Sequence, residues 1–324
     1  MKSRIVTTIP TFNSERFLVQ TLQSLANQTV RPDRVIVIDD GSKDGTEAIV
    51  KGFKPIQCEW VQNPKTLGLF GNFNRCLDFA DQGEYLQILH ADDTLEPEFY
   101  QTMVGVLDDC PGLAMAWCLD ERIDENNQRL SISGKPDGAV EVLAMDDFLK
   151  RKAEIGNQAF AATLLKTCAR PVPCRFPMDM PILGDMVYWA HFGKHCQKLV
   201  HVHRLLCKYR WHGSNATNAL APSIQALILD EWRTMEMNEA LRGGSGMSLY
   251  RSMKLRGLLA VRSGIKAKRF RQQNNLAYSR QIVSAAKNVT GTPLWLAGQV
   301  LVELRDLIVY TILGRPRHPK NVFS

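Results

Sequence analysis

The sequence predicts an α/β protein: a doubly wound, mostly parallel sheet with helices on both faces, followed by a helical basic C-terminal region. Three observations carry this. Apolar runs of strand length alternate with helical patterns every 20 to 30 residues over the first third of the chain, the rhythm of βαβ units. Two of those runs stop abruptly at paired carboxylates, Val35–Asp40 (VIVIDD) and Tyr85–Asp93 (YLQILHADD), with Asp39 and Asp92 53 positions apart. Charge then divides the chain. Residues 251–324 hold 14 Lys and Arg against Glu303 and Asp306, or +12, while the preceding 250 residues hold 26 basic and 31 acidic side chains.

Taken in order, Arg4 to Ile9 reads as a first strand running into Pro10–Ser14. A helix follows, with Asn13 or Ser14 as its cap and Phe17, Leu18, Leu22, Leu25 and Ala26 on one face. Val35 to Ile38 is the second strand. Gly41–Thr46 is a turn whose Thr46 is placed to cap the helix beginning at Glu47, and Cys58 to Val61 is a third strand ending near Asn63. Phe73, Leu77 and Ala80 recur at helical spacing between Leu67 and Ala80; Asp81–Glu84 turns into the strand Tyr85–Leu89. Glu98–Leu107 reads as a helix, Leu113–Cys118 as a strand, 124–128 as a polar turn and 131–138 as a loop. The run Arg242–Ser248 (RGGSGMS) is the clearest linker. The predicted division is a catalytic domain over 1–241, a linker over 242–250 and a helical region over 251–324.

Carboxylates that end parallel strands lie where open α/β sheets bind ligands, so Asp39, Asp40, Asp92 and Asp93 are expected to share one cleft. Carboxylates crowded together repel one another unless a cation joins them. Hard cations such as Mg²⁺ or Mn²⁺ prefer oxygen donors and also bind phosphates. The plainer reading, in which each pair only ends a strand and caps a helix, suits one pair better than two in this order.

The residues also resemble a family. IVTTIPTFN ending at Asn13, VIDDGS-x-DGT ending at Thr46, NP-x-x-LG over 63–68, GNFNR over 71–75, GEYLQILHADD over 83–93 and Gly184-Asp185 occur in the order and spacing of the family 2 glycosyltransferases, over roughly residues 1–215. The resemblance implies the GT-A fold and inverting transfer of a sugar from a nucleotide-diphosphate donor to an acceptor hydroxyl, with Mn²⁺ or Mg²⁺ on the diphosphate. It implies that Asp39 and Asp40 sit beside the base and ribose, over a loop of Pro10, Thr11 and Asn13. Asn63, Gly68, Arg75, Asp92 and Arg210 are read with them as donor-binding residues, and Lys65 as an alternative to Arg75 on the diphosphate. Asp92 and Asp93 are the implied metal holders, joined by His212 and by His90. His90 stands where the family commonly has the first Asp of Asp-x-Asp; its plainer reading is packing at a strand end. Asp185, in the match PILGD ending a few residues into a predicted helix, is the implied general base, with Asp179, His191 and His212 as substitutes.

Two other histidine pairs stand outside this pattern. His191 and His195 are at helical spacing, His201 and His203 at strand spacing, and no acidic or Cys-rich frame accompanies either in sequence, so no zinc site is read there. Eight cysteines include no C-x-x-C pair, and the first ten residues enter a strand pattern without an apolar signal core, which reads as a reducing, cytoplasmic setting. In the basic region, 292–313 is the most apolar stretch, with Gln299, Glu303 and Asp306 as a polar stripe. Its longest uncharged run, Asn288–Val302, is too short to span about 30 Å of hydrocarbon. The stretch reads as an amphipathic helix for the inner, anionic face of a membrane, with packing on the catalytic domain or in a homo-oligomer as the other reading. No nucleic-acid-reading motif is present. The expected acceptor is a glycan or a lipid-linked glycan, in polysaccharide biosynthesis. The rivals are a nucleotidyltransferase, which would want a Gly-rich, basic loop where this chain has Pro-Thr-Phe-Asn, and a non-catalytic GT-A-like scaffold, which would not need all four of Asp39, Asp92, Asp93 and Asp185.

Overall fold

The β-branched runs form the strands expected of them, in a parallel order that brings both carboxylate pairs to one edge. The computed structural model describes residues 3–154, 160–180, 182–213, 215, 224–243 and 248–306. Strands β1 (Ser3–Thr11), β2 (Arg34–Asp39), β3 (Cys58–Gln62) and β4 (Gly83–Ile88) pair in parallel in the order β3-β2-β1-β4. The crossovers between them carry helices α1 (Leu18–Ala26), α2 (Thr46–Gly52) and α3 (Leu69–Leu77). Thr11 is in register with Asp39, and Asp39 with Gln62, so three carboxyl ends lie side by side.

Beyond β4 the pairing becomes mixed. The short β9 (Thr163–Lys166) runs antiparallel between β4 and β6 (Ala114–Ile123), and β10 (Lys198–Arg210) lies parallel to β6. The far edge of β10 is covered by two short antiparallel strands, β8 (Val140–Val142) and β5 (Thr94–Leu95); β7 (Arg129–Ile132) hairpins onto β6. Helices α4 (Phe99–Leu107), α5 (Met145–Glu154) and α6 (Gly184–Lys194) complete this part. Ile5, Ile9, Leu22, Leu25, Val35, Val37, Leu89, Phe99, Leu107 and Val200 join in one buried core, each burial being worth roughly 1.5–3 kcal/mol before chain entropy is set against it.

Several local expectations are corrected. Neither Asn13 nor Ser14 caps α1 with its side chain: Phe17 stands at the cap position, Asn13 Oδ1 accepts from the Lys43 N–H, and Ser14 Oγ from the Phe12 N–H. Thr46 is the first residue of α2 rather than its cap; its hydroxyl donates to Asp44 and accepts from the Ser14 N–H. Asn13 and Thr46 tie two loops together and Ser14 turns back within its own loop, so none of the three side chains caps its helix. The loop read over 131–138 begins inside β7, and β8 and β9, of three and four residues, carried too short a pattern to be read.

Contacts divide the chain into two units, Met1–Leu149 with Gly156–Ala216, and Lys150–Ile155 with Thr217–Ser324. The second holds α7 (Ile224–Gly243), α8 (Leu249–Gln272), α9 (Leu276–Thr290) and α10 (Thr292–Asp306). The sequence reading placed the change at 242–250; α7 instead packs with the helices after it, Lys266 pairing with Glu231 at 2.7 Å and Arg256 lying over the Trp232 ring. Linker residues 244–247 and the basic end 307–324 lie outside the described residues. On α10, Trp295 and Val302 are buried, Gln299 Nε2 donates to the Ala260 carbonyl of α8, and Glu303 pairs with Lys268. Gln299 and Glu303 of the polar stripe thus reach α8. Leu296, Val300, Leu301 and Leu304 form an outer apolar face, each about half exposed.

Candidate active site

The sheet topology sets Asp39 and Asp40 at the end of β2 and Asp92 and Asp93 four and five residues past β4, with β1 between the two strands. Both residues of the first pair are buried and organise loops. Asp39 Oδ2 accepts from the Gly41 and Ser42 N–H groups at 3.0 Å, and its Oδ1 from the Ser42 hydroxyl. Asp40 Oδ1 accepts from Asn63 Nδ2 at 2.9 Å and the Leu67 N–H at 2.8 Å, and its Oδ2 from the Gly68 N–H at 2.9 Å. Gly68, at φ +77°, takes a backbone state that L side chains rarely adopt, which turns its N–H into that carboxylate.

Asn63 also donates to Asn72 Oδ1 at 2.9 Å, and Asn72 Nδ2 donates to the Ile38 carbonyl at 3.1 Å. This buried chain of amides locks the carboxyl ends of β1, β2 and β3 into one floor. Asn72 was not singled out by sequence reasoning; the repeated amides of Asn72-Phe-Asn74, polar residues inside an apolar helix face, were the available signal. Pro10 and Thr11 end β1, and Asn13 lies in the loop that follows. Asn13, at φ 51°, is held from both sides: its N–H donates to Ser42 Oγ and its side chain accepts from Lys43.

The second cluster is tighter. His90, Asp92 and Asp93 each offer a ligand atom, all within 4.8 Å of one another, so these three residues can hold a metal ion. His90 Nδ1 lies 3.2 Å from Asp93 Oδ2, and its ring stacks on Phe73 of α3 with centroids 5.5 Å apart. Asp93 is 1% exposed; its Oδ1 accepts from the Arg210 N–H at 2.8 Å, while its buried Oδ2 meets the His90 ring. Burial pushes its pKa up to about 6, the His90 contact pulling the other way and the Asp92 charge adding to the rise. For His90, burial opposes the charged form, but the hydrogen bond to Asp93 and the charges of Asp93, Asp92 and Asp185 outweigh it and raise its pKa.

His212 joins this cluster from outside. Its Nε2 is 2.9 Å from Asp92 Oδ2, its ring packs on Phe17, and Asn215 bonds both the Arg210 carbonyl at 3.0 Å and Asp92 Oδ2 at 3.4 Å. A histidine on the far side of a ligating carboxylate orients that ligand. Arg210, read from sequence as facing the donor, is fully buried. Its guanidinium donates to the Asp92 carbonyl, Asn127, Asp124 and Gln20 and lies over the Phe17 ring; burial lowers its pKa. With its donors so engaged, it fixes the Asp92–Asp93 turn from beneath. Arg75 likewise pairs with Asp78, at 2.9 Å, and lies over Phe79. Lys65 is exposed.

Asp185 occupies the second position of α6 and is not its cap. The helix starts against α3, for a Cβ on Gly184 would meet the Phe70 ring at 2.9 Å, and the Asp185 charge is felt at both His90 and Tyr209. Thus Asp185, His90, Asp92, Asp93 and His212 gather around one end of the sheet, beside the Asp39–Asp40 floor.

This parallel sheet with a carboxylate cluster past its fourth strand is the GT-A fold. A crystal structure of S. aureus TarS 1-349 in complex with UDP-GlcNAc superposes with TM-score 0.58 at 13% identity, covering 97% of this chain and 93% of that one. The family profile Glycosyl transferase family 2 matches residues 7–165, so this stretch carries that family's sequence pattern. An uncharacterized glycosyltransferase of Rickettsia prowazekii, RP339, is 24% identical over 218 residues, 65% of this chain and 64% of that protein. The Campylobacter jejuni GalNAc(5)-diNAcBac-PP-undecaprenol beta-1,3-glucosyltransferase is 31% identical over 148 residues, 44% of this chain and 47% of its own length. The alignments thus span less than two thirds of these relatives.

Proposed function

We infer that the protein is an inverting glycosyltransferase that moves a sugar from a nucleotide-diphosphate donor to the hydroxyl of a glycan or lipid-linked acceptor. The observation that carries this reading is the Asp92–Asp93 pair held rigidly by His212, Asn215 and Arg210 at the carboxyl end of a parallel sheet. The donor set fits Mn²⁺ or Mg²⁺: two carboxylates, one with a buried oxygen beside the His90 ring, and an imidazole that Mn²⁺ tolerates. When bound, such an ion offsets the charge that gathers on the leaving diphosphate.

The residues then take these roles. Asp39, Asn63 and the Pro10–Asn13 loop form the nucleoside pocket, while Asp40 holds the Leu67–Gly68 turn that closes its side. Asp92 and Asp93 hold the ion; His90 is its third ligand, and His212 orients Asp92. Arg210 is a positioning residue. Arg75, if it leaves Asp78, is the side chain nearest in kind to a diphosphate anchor. Asp185 takes the proton of the acceptor hydroxyl as that oxygen attacks the anomeric carbon opposite the departing diphosphate. The sequence relative from C. jejuni, named for a lipid-linked acceptor, supports an acceptor of that class.

The helical unit suits the same setting. No helix among the described residues is long and apolar enough to cross a membrane. The outer face of α10, flanked by the basic residues that give 251–324 its +12 charge, fits an anionic lipid surface on the cytoplasmic side. The enzymatic reading is tested by incubating the chain with a panel of nucleotide-sugars and Mn²⁺ or EDTA. Metal-dependent release of a nucleoside diphosphate from one donor supports it; release of a sugar 1-phosphate would point to nucleotidyl transfer, and no turnover with any donor or acceptor to a binding scaffold.

A further inference from the structure

Away from the carboxylate cluster, β10 carries a second set of metal-ligating side chains. His201 and His203 are two residues apart on one strand, so both leave the sheet on the same face. The edge strand β8 pairs with β10 so that Glu141 stands directly opposite His201. The acidic partner missing from the sequence around these histidines is thus supplied by a strand sixty residues earlier.

The three side chains converge. Glu141 Oε2 lies 3.9 Å from His201 Nδ1 and 3.6 Å from His203 Nε2, and the two rings are 4.5 Å apart, centroid to centroid. One ligand atom from each falls within 4.8 Å of the other two. Separations of 3.6 and 3.9 Å are too long for hydrogen bonds. They are close to the spacing of roughly 3.3 Å between ligands of a tetrahedral ion with bonds of about 2.0–2.1 Å. The rings are also held for ligation. His203 Nδ1 is 3.1 Å from Asp137 Oδ1, a carboxylate on the far nitrogen that favours the tautomer whose Nε2 lone pair faces Glu141. The ring of His201 stacks on Trp117 at 5.2 Å and 17°. Backbone bonds between His203 and Gly138 and Ala139 fix the segment that carries Asp137.

We propose that Glu141, His201 and His203 form a zinc site, with Asp137 orienting His203, and that the ion fastens the edge strand β8 to β10. Two imidazoles and one carboxylate select Zn²⁺ over Mg²⁺, which prefers oxygen donors, so this site and the Asp92–Asp93 cluster sort their ions by ligand chemistry. The strand it fastens has little else to hold it: β8 is three residues long and exposes Val140 and Val142.

The test is a calorimetric titration of the full chain with Zn²⁺ in excess Mg²⁺, which occupies the acidic cluster. The expected result is one equivalent of Zn²⁺ bound by the wild-type chain and by Asp93→Ala alike. Affinity should fall at least 100-fold in His203→Ala and Glu141→Gln, and about 10- to 100-fold in Asp137→Asn, the usual cost of losing a carboxylate that orients a ligating histidine. X-ray absorption of the wild-type zinc complex, which needs no variant to fold, should show two imidazoles in the first shell. The proposal is overturned if no stoichiometric Zn²⁺ binds in Mg²⁺, if the absorption spectrum lacks the imidazole pair, or if Asp93→Ala alone removes the zinc. Any of these leaves Glu141 and its histidines as an ion pair only.

Discussion

Asp93 concentrates the electrostatic problem of the site at one residue. Its pKa is raised by burial to about 6, so the folded protein without metal binds a proton more tightly than the unfolded chain does. Metal-free stability is therefore greatest below the ordinary Asp pKa of about 3.9, as far as this group decides it, and is lost as pH rises through about 6. Asp93→Asn should stabilise the metal-free protein at pH 8 by on the order of 2 kcal/mol and leave it unchanged at pH 4, while abolishing stabilisation by Mn²⁺. Thermal melts in EDTA at the two pH values measure this; a destabilised mutant at pH 8 would mean that Asp93 is not strained by burial. Asp185→Asn makes a different demand: donor affinity kept, turnover lowered about 10²-fold or more, the usual scale for losing a general base. Near wild-type turnover would remove Asp185 from the chemistry and turn attention to Asp179, His191 and His212. At this scale the four strand-end carboxylates were legible because an apolar run that stops at two acids has few other uses. The burial of Arg210 was not, since its acceptors, Gln20, Asp92, Asp124 and Asn127, come from three distant parts of the chain.

Among elements, the loops at the carboxyl ends of β1, β2 and β3 act as one body because buried amides and carboxylates bridge them. Asn72→Leu removes the acceptor of one buried Asn63 N–H and one of the donors to the Ile38 carbonyl, while Asn63 keeps Asp40 and Ile38 keeps the Thr11 hydroxyl. It should cost about 1–3 kcal/mol in stability and weaken nucleotide binding while leaving the proposed Zn²⁺ binding at β10 untouched. Chemical denaturation and nucleotide calorimetry on the same variant check both halves. Among the parallel strands β2 is a near-continuous apolar run, the mark of burial on both faces, and β1 and β4 carry enough apolar residues at strand length to be read beside it. The short antiparallel strands β5, β8 and β9 were not, since two to four residues carry no period; they are set by what they lie against. The Glu141–His201 register shows the same limit, being fixed by pairing between strands far apart in sequence. Helix caps misled for a related reason: Asn13 and Thr46 are good capping residues locally, but loop-to-loop bonds claim their side chains first, and Ser14 bonds within its own loop.

For the whole molecule, the two units separate the chemistry from the charge. The +12 region carries an outer face of Leu296, Val300, Leu301 and Leu304, and the full chain should sediment with anionic liposomes and leave them partly at high salt, since exposed charges are screened beyond about 8 Å at physiological ionic strength. Replacing Leu296 and Val300 with Glu should abolish sedimentation without altering donor turnover; full-chain behaviour indifferent to lipid would leave that face to a second copy of the chain. The central claim is that the Asp92–Asp93 cluster joins a divalent ion to a nucleoside diphosphate. It is tested most directly by calorimetry of UDP, GDP and dTDP against the wild-type chain and Asp93→Ala, each in Mn²⁺ and in EDTA. The account predicts that one of these nucleotides binds the wild-type chain much more tightly in Mn²⁺ and that Asp93→Ala loses this gain. Equal affinities in Mn²⁺ and EDTA for all three nucleotides would contradict it.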